Sequence, residues 1–255
     1  MYSASSVVYC FHVSSTKPDY GIDAPGVVRN LFIAGILLVI LGPMFPIIRL
    51  GQLTILWKSG ALITGTFCLL EGVLMIVYAK QGKFQHRDRM LAMVDWKGNE
   101  QVLDVGTGRG LLAIGAAKKL TTGRATGIDI WSSKDLSGNA LEQTMHNVEL
   151  EGVTSKVDIQ NGDATDMKFP DATFDVVLSN LCIHNIPSRA GRDKACREIV
   201  RVLKPGGKAI ISDFIKTSDY VKAFNAAGAS TARSGLDFLR TFPPLRIIEV
   251  RKPTS

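Results

Sequence analysis

The residues best placed to do chemistry lie between positions 101 and 184. Gln101-Val-Leu-Asp-Val-Gly-Thr-Gly-Arg-Gly110 runs into the apolar stretch Leu-Leu-Ala-Ile-Gly-Ala-Ala117, a pattern that reads as strand, glycine turn and helix. Gly106, Gly108 and Gly110, with Thr107 among them, let the backbone turn sharply and approach a ligand closely, and the helix that follows offers unpaired N–H groups at its start. A nucleotide-like ligand is implied. A dinucleotide-binding turn would place its third glycine where Leu111 stands; the spacing here is instead G-x-G-x-G behind an acidic residue, Asp104. A carboxylate at the end of the strand suits a ligand with a cationic amino group and no pyrophosphate.

This acidic residue and its turn resemble motif I of the class I S-adenosylmethionine-dependent methyltransferases, and four further segments follow in that family's order, up to residue 213. Ala125-Thr-Gly-Ile-Asp-Ile130 ends a second strand in Asp129, which the resemblance implies accepts both ribose hydroxyls, with Ile130 and Trp131 packed on the adenine. Val157 to Ala164 resembles the third motif, implying that Asp163 accepts from the adenine amino group and that Ala164 supplies a backbone contact. Phe174 to His184 resembles the fourth strand and its active-site edge, with Asn180 on the cofactor side, and Leu203 to Asp213 resembles the turn into the fifth. The expected fold is therefore α/β, a Rossmann-like doubly wound sheet of seven strands, and the expected cofactor is S-adenosyl-L-methionine.

Methyl transfer from a sulfonium is an in-line displacement, so the protein has mainly to align the acceptor and exclude water. His184 lies where residues of this superfamily face the methyl group and is the first candidate for a base or acceptor orienter, with Asn180 second. The plain alternative is that His184 caps or packs a loop. Cys182 reads as buried rather than reactive, Asp175 as a strand-start residue, Lys204 to Gly207 as a turn, and Gly115 as a site of close helix-to-sheet packing. Ser179-Asn-Leu-Cys182 stands where enzymes that grip a planar amino group carry Asn-Pro-Pro-Tyr. The His-Asn-Ile motif looks most like the group that methylates small molecules, quinones, sterols and lipid headgroups.

The elements around these residues divide the chain in two. Only eight charged residues fall in the first 80 positions, against 45 in the remaining 175. Leu31 to Ile48 is eighteen uncharged residues flanked by Arg29 and Arg49; Ser59 to Ala79 is twenty-one residues, charged only at Glu71, flanked by Lys58 and Lys80. Each is long enough for the hydrocarbon core of a bilayer, so the pattern predicts a two-span transmembrane hairpin over 29–80 behind a tail, 1–28. Pro43 and Pro46 would break or tilt the end of the first span. Glu71 calls for a partner, with two readings open: a bond to the sister helix or an oligomer neighbour, or a contact with a substrate headgroup. Lys80, Lys83, Arg87 and Arg89 follow the second span, which predicts that the domain 81–255 and the N-terminus are cytoplasmic.

The four cysteines (Cys10, Cys68, Cys182, Cys196) show neither a disulfide framework nor metal-ligand spacing, and the net charge of +7 is too diffuse to mark a nucleic-acid partner. With no separate acceptor domain, the expectation is a methyltransferase whose site opens toward the membrane and takes a lipid headgroup, isoprenoid, amine, phenol or thiol, with homo-oligomerisation through the hairpin open. Two rivals stand beside it: a water-soluble acceptor with the hairpin as a simple anchor, and a non-catalytic, cofactor-binding membrane subunit. An NAD-linked reductase is disfavoured by Leu111 and by the order of the motifs.

Overall fold

A computed structural model describes residues 16–45 and 47–254, with the side chains of 48–50 and 53–55 excepted. Cys10, Pro46 and the first fifteen positions of the expected tail lie outside the described residues, as does the side chain of Arg49.

The chain opens with two antiparallel helices, α1 (Pro25–Leu41) and α2 (Trp57–Val77), joined through a 3-10 turn at Gly42–Met44 and the short strand pair β1 (Ile48–Leu50) and β2 (Leu53–Ile55). Small residues set their separation. A methyl group on Gly35 would meet Leu69 and the carbonyl of Gly65, one on Gly65 would meet the carbonyl of Gly35, and one on Gly42 would lie 2.4 Å from the β-carbon of Ala61. Close backbone approach through small residues is a packing mode favoured where apolar helices cannot rely on water to drive them together. Their outward faces are bare: Ile33, Ile36, Leu37 and Ile40 on α1 and Ile63, Phe67, Leu70 and Val73 on α2 are each about half exposed or more. The helices have the length and composition to cross a membrane. Glu71 is half-buried on α2 and bonds to no described residue.

A π-helical turn, Tyr78–Gly82, joins α2 directly to α3 (Lys83–Leu91). α3 is thus the continuation of the second apolar helix. Met90, Leu91 and Val94 bury their side chains in the domain core.

The rest is one seven-stranded sheet, ordered β5 (Val157–Asn161), β4 (Arg124–Asp129), β3 (Gln101–Val105), β6 (Phe174–Asn180), β7 (Leu203–Asp213), β9 (Arg246–Arg251), β8 (Ser230–Arg233). Strands β3 to β7 run parallel and β9 is antiparallel to both neighbours. Val102, Leu103 and Val105 of β3 are fully buried, as a central parallel strand covered on both faces requires. One face packs on α3, α4 (Leu111–Ala117) and α5 (Leu141–Leu150); the other packs on α6 (Arg189–Val202) and α7 (Thr217–Ala226). The chain leaves β3 toward β4 on one side and reaches β6 on the other, so a crevice opens at the C-terminal ends of β3 and β6.

Two expectations change in detail. Gly115 faces Arg87 and Leu91 of α3, each 2.8 Å from where its β-carbon would sit, so it permits close helix-to-helix rather than helix-to-sheet packing. Lys204 to Gly207 lies within β7 as an irregularity, where the register with β6 slips between Phe174 and Val176. Asp175 is structural as expected: it accepts from the Gln101 amide at 2.8 Å and from the Lys204 ammonium.

Candidate active site

The glycine turn sits at the head of β3, held by two carboxylates. Asp129 Oδ2 accepts from the Gly108 amide at 2.8 Å, while Oδ1 accepts from the Trp131 amide at 2.6 Å and from Asn139 at 3.2 Å. Asp104 Oδ2 accepts from the Thr107 hydroxyl at 2.8 Å and from the Ala113 amide at 2.9 Å. Its other oxygen, Oδ1, is buried with no partner. Burial drives the Asp104 carboxyl up to about 7, offset in part by those two donors and reinforced by the charge of Asp129. The result is a buried acid with one unsatisfied oxygen at the wall of the cleft.

The glycines are required by space as well as by conformation. Gly106 has φ of +74°, and a β-carbon there would fall 2.3 Å from Cys182 Sγ. Gly108, at φ +53°, would place one 2.9 Å from Leu136. Cys182 therefore lies under the turn, and burial beside Asp129, Asp213 and Asp104 pushes its thiol far above the usual range, which leaves it inert.

Further along the crevice, Ile130 is 71% exposed and presents an open apolar surface, next to Trp131, whose indole donates to Asn161. Asp163 is exposed and its Oδ1 accepts from the Thr165 amide at 2.7 Å; Ala164 packs at the edge of the core. The residues expected around a nucleoside thus line one side of the same loop cluster as the turn.

At the other end of the crevice Asn180 closes β6 with a buried, unpartnered Oδ1. His184, in a 3-10 turn four residues on, brings Nδ1 within 2.9 Å of Asp213 Oδ1, off the ideal hydrogen-bond line, while its backbone amide donates to Asp213 Oδ2 at 3.1 Å. Asp213 is 1% exposed and also accepts from the Tyr220 hydroxyl and the Phe214 amide; the Phe214 ring packs edge-on against the imidazole at 4.8 Å. Asp213 closes the last parallel strand of the family-like motifs, but nothing in its sequence context shows that it faces His184.

Several site residues come from parts of the chain without any motif. Residues 19–24 cross the glycine turn as a strap: Arg109 holds Asp19, Ile22 and Ser137 exchange hydrogen bonds, and the Ala24 amide donates to the Asp135 carbonyl at 2.8 Å. Buried Lys83 donates to the carbonyls of Tyr20 and Gly21, each at 2.6 Å, and lies 3.8 Å from Asp23. Tyr78, at the foot of α2, is buried beside Asn180 and Asp23. Between strap and turn remains a cleft of about 60 Å³, lined by Tyr20, Lys83, Asp104, Leu136 and Asn180. Buried His86 on α3 bonds to the Ser212 hydroxyl at 2.7 Å; burial and the nearby Arg89 lower it to about 4, keeping it neutral.

Residues 103–211 match the model of a methyltransferase domain. The chain is 33% identical over 144 residues to the chloroplastic 2-phytyl-1,4-beta-naphthoquinone methyltransferase of Arabidopsis thaliana, covering 55% of this chain and 52% of that one. It is 36% identical over 124 residues to a sterol 4-C-methyltransferase of Caenorhabditis elegans, covering 49% of this chain and 34% of the relative. The chain thus spans about half or less of the length of these relatives. The fold is that of the YcgJ protein of Bacillus subtilis, with a TM-score of 0.54 at 16% identity over 67% of this chain and 99% of that one. Residues 103–211 thus match a methyltransferase domain, on a fold shared with a solved S-adenosylmethionine-dependent methyltransferase of Methanosarcina mazei at 17% identity, and the unpartnered oxygen of Asp104 lies behind its glycine turn.

Proposed function

We propose that the chain is a membrane-held methyltransferase that passes a methyl group from S-adenosylmethionine to a small lipophilic acceptor, with α1 and α2 as a two-span hairpin (29–80) and the domain 81–255 and the N-terminus on the cytoplasmic face. The observation that carries this reading is Tyr78: the last turn of an apolar, outwardly bare helix places a buried side chain beside Asn180 at the crevice. The strap before α1 and the domain after α2 lie on one side of the hairpin, as two spans require. Relatives named for naphthoquinone and sterol methylation agree with a lipophilic acceptor. A homo-oligomer through the hairpin would have to use its outward faces, since Gly35, Gly42 and Gly65 are spent on packing α1 against α2.

In this reading the Gly106–Gly110 turn and Thr107 shape the cradle, Asp104 Oδ1 meets the amino group, Asp129 takes the ribose hydroxyls, and Asp163, Ala164, Ile130 and Trp131 surround the adenine. The cofactor supplies an electrophilic methyl group on a sulfonium. His184, oriented by Asp213 through Nδ1, keeps the Nε2 lone pair free to take the acceptor's proton, and the Asn180 amide orients the acceptor. The strap and Tyr78 keep water out, so the acceptor and not water meets the methyl group.

The test is transfer of labelled methyl from S-adenosylmethionine in native membranes, read in organic and aqueous extracts for the wild type and Gly106→Arg. Label in the organic phase, lost in the variant, is the expected result. Label confined to the aqueous phase would favour the soluble-acceptor alternative, and S-adenosylhomocysteine binding without any labelled product would favour a non-catalytic subunit.

A further inference from the structure

The segment between β8 and β9 carries an anomaly. Phe238 is 71% exposed and Leu239 95% exposed, with Leu236 partly exposed beside them, yet this is no loose loop. Asp237 Oδ1 accepts from the amides of Leu239 at 3.2 Å and Arg240 at 3.0 Å. The Asp237 carbonyl accepts from the Thr241 hydroxyl, that hydroxyl accepts from the Leu245 amide, and the Asp237 amide donates to the Leu245 carbonyl. Asp237 Oδ2 is paired with Arg89 of α3. A turn pinned at its base by this many bonds displays a Phe and a Leu outward. In water such a display has no return, because burying either side chain would be favourable by about 1.5–3 kcal/mol.

Its position says what it faces. The Arg240 carbonyl lies 3.1 Å from where a β-carbon of Gly82 would sit, so the turn rests against the helix that leaves α2. Gly82 is five residues beyond Val77, the last exposed apolar side chain of α2, an axial rise of no more than about 7.5 Å, because the turn between them is π-helical and wound wider than an α-helix. The headgroup zone on each side of a bilayer is about 5–7 Å deep. Lys80 and Arg240, one two residues before Gly82 in the chain and the other touching it through its carbonyl, are both exposed, and cationic side chains near a bilayer surface reach lipid phosphates.

We propose that the 236–240 turn is a second, interfacial membrane contact: Phe238 and Leu239 insert among the headgroups beside the foot of α2, and Lys80 and Arg240 pair with anionic lipid. The contact rests on the hairpin spanning the bilayer. It adds a second point of orientation beside α3, which reinforces the tilt that the continuous helix from α2 into α3 already sets. The edge of the crevice where Tyr78 meets Asn180 is then held toward the lipid surface.

The full chain, with Cys10→Ser and Cys68→Ser, and with the half-buried Cys182 and buried Cys196 retained, is spin-labelled through Leu239→Cys, Phe67→Cys or Lys168→Cys in phosphatidylcholine–phosphatidylglycerol vesicles, and the signal of the same protein without an added cysteine is subtracted. Accessibility to oxygen is compared with accessibility to a water-soluble nickel chelate. The expected result is a label at 67 reached by oxygen, a label at 168 reached by the chelate, and a label at 239 that favours oxygen over the chelate by several-fold, at a shallower depth than 67. A label at 239 that behaves like 168 while 67 reports lipid overturns the proposal and leaves the hairpin standing. A label at 67 that behaves like 168 removes the hairpin reading itself. Protection of 239 from both reagents would mean that protein covers the turn, and would also overturn the proposal.

Discussion

Arg109, the residue between the last two glycines of the cofactor turn, grips Asp19 twice: one guanidinium nitrogen lies 2.6 Å from its carboxylate and 3.0 Å from its carbonyl oxygen. The same guanidinium donates to the Gly138 carbonyl. The segment that leads into the first apolar helix is thereby tied to the loop on which the proposed methyl donor lies.

The cleft between strap and turn measures about 60 Å³, small for a nucleoside, so the strap is expected to shift when a ligand of that size enters. Arg109→Ala is expected to raise the dissociation rate of S-adenosylhomocysteine by roughly tenfold, equivalent to one charge-assisted contact of about 1.5 kcal/mol, measured by stopped flow. An unchanged rate would mean that the strap does not gate the site.

Asp104 offers a pH test. Its carboxyl stands near 7 in the folded protein against an ordinary value near 4, so the unliganded protein draws stability from this group at low pH and loses it as pH rises toward and through 7. Cofactor binding should run the other way, because a cationic amino group needs the ionised form. Affinity for S-adenosylhomocysteine is expected to rise between about pH 6 and 8 in wild type. In Asp104→Asn it should be weaker by roughly 10–100-fold and flat over that range, as read by calorimetry.

His184→Ala should lower turnover by roughly 10²–10⁴-fold while leaving S-adenosylhomocysteine affinity within about twofold, if the acceptor gives up a proton. Asp213→Asn should reduce turnover less and also lower the melting temperature, since Asp213 additionally holds the Phe214 amide and the Tyr220 hydroxyl. Full turnover in His184→Ala would return that residue to loop packing.

Gly106→Ala should abolish cofactor binding, because it combines a strained φ with a 2.3 Å clash on Cys182 Sγ. The double variant Gly106→Ala/Cys182→Gly removes the clash and should recover part of the binding. Gly152→Ala is the control: φ is +68° but nothing lies within 4 Å, so only the backbone cost of about 1–2 kcal/mol remains, read as a shift in melting temperature with binding intact.

The sheet, its order of motifs and the apolar hairpin were legible because each is written in local pattern: period, turn glycines, strand-end acids and charge-free runs. Asp104, Gly106, Gly108 and Asp129 could be singled out on that ground, since a glycine turn fixes where the neighbouring strand ends must come. The Asp213–His184 pairing was not legible, although both residues lie in recognisable segments. It depends on β6 and β7 lying side by side in the register Asn180 to Ser212, which brings the strand ends together across 29 positions of sequence. Asp19, Tyr20, Lys83 and Tyr78 carried no motif at all, and their roles come from long-range packing of ordinary residue types.

By itself the sequence determined two regimes of composition and one glycine turn, because burial pattern and backbone conformation are local constraints that residue types must obey. Only the tertiary structure decided that the second apolar helix runs unbroken into the domain through Tyr78 and Lys83, and that the residues before the first fold back over the glycine turn. The reason is physical: hydrogen bonds such as Lys83 to the Tyr20 carbonyl join segments some sixty residues apart, and no local period or propensity encodes which distant partner a buried ammonium will find.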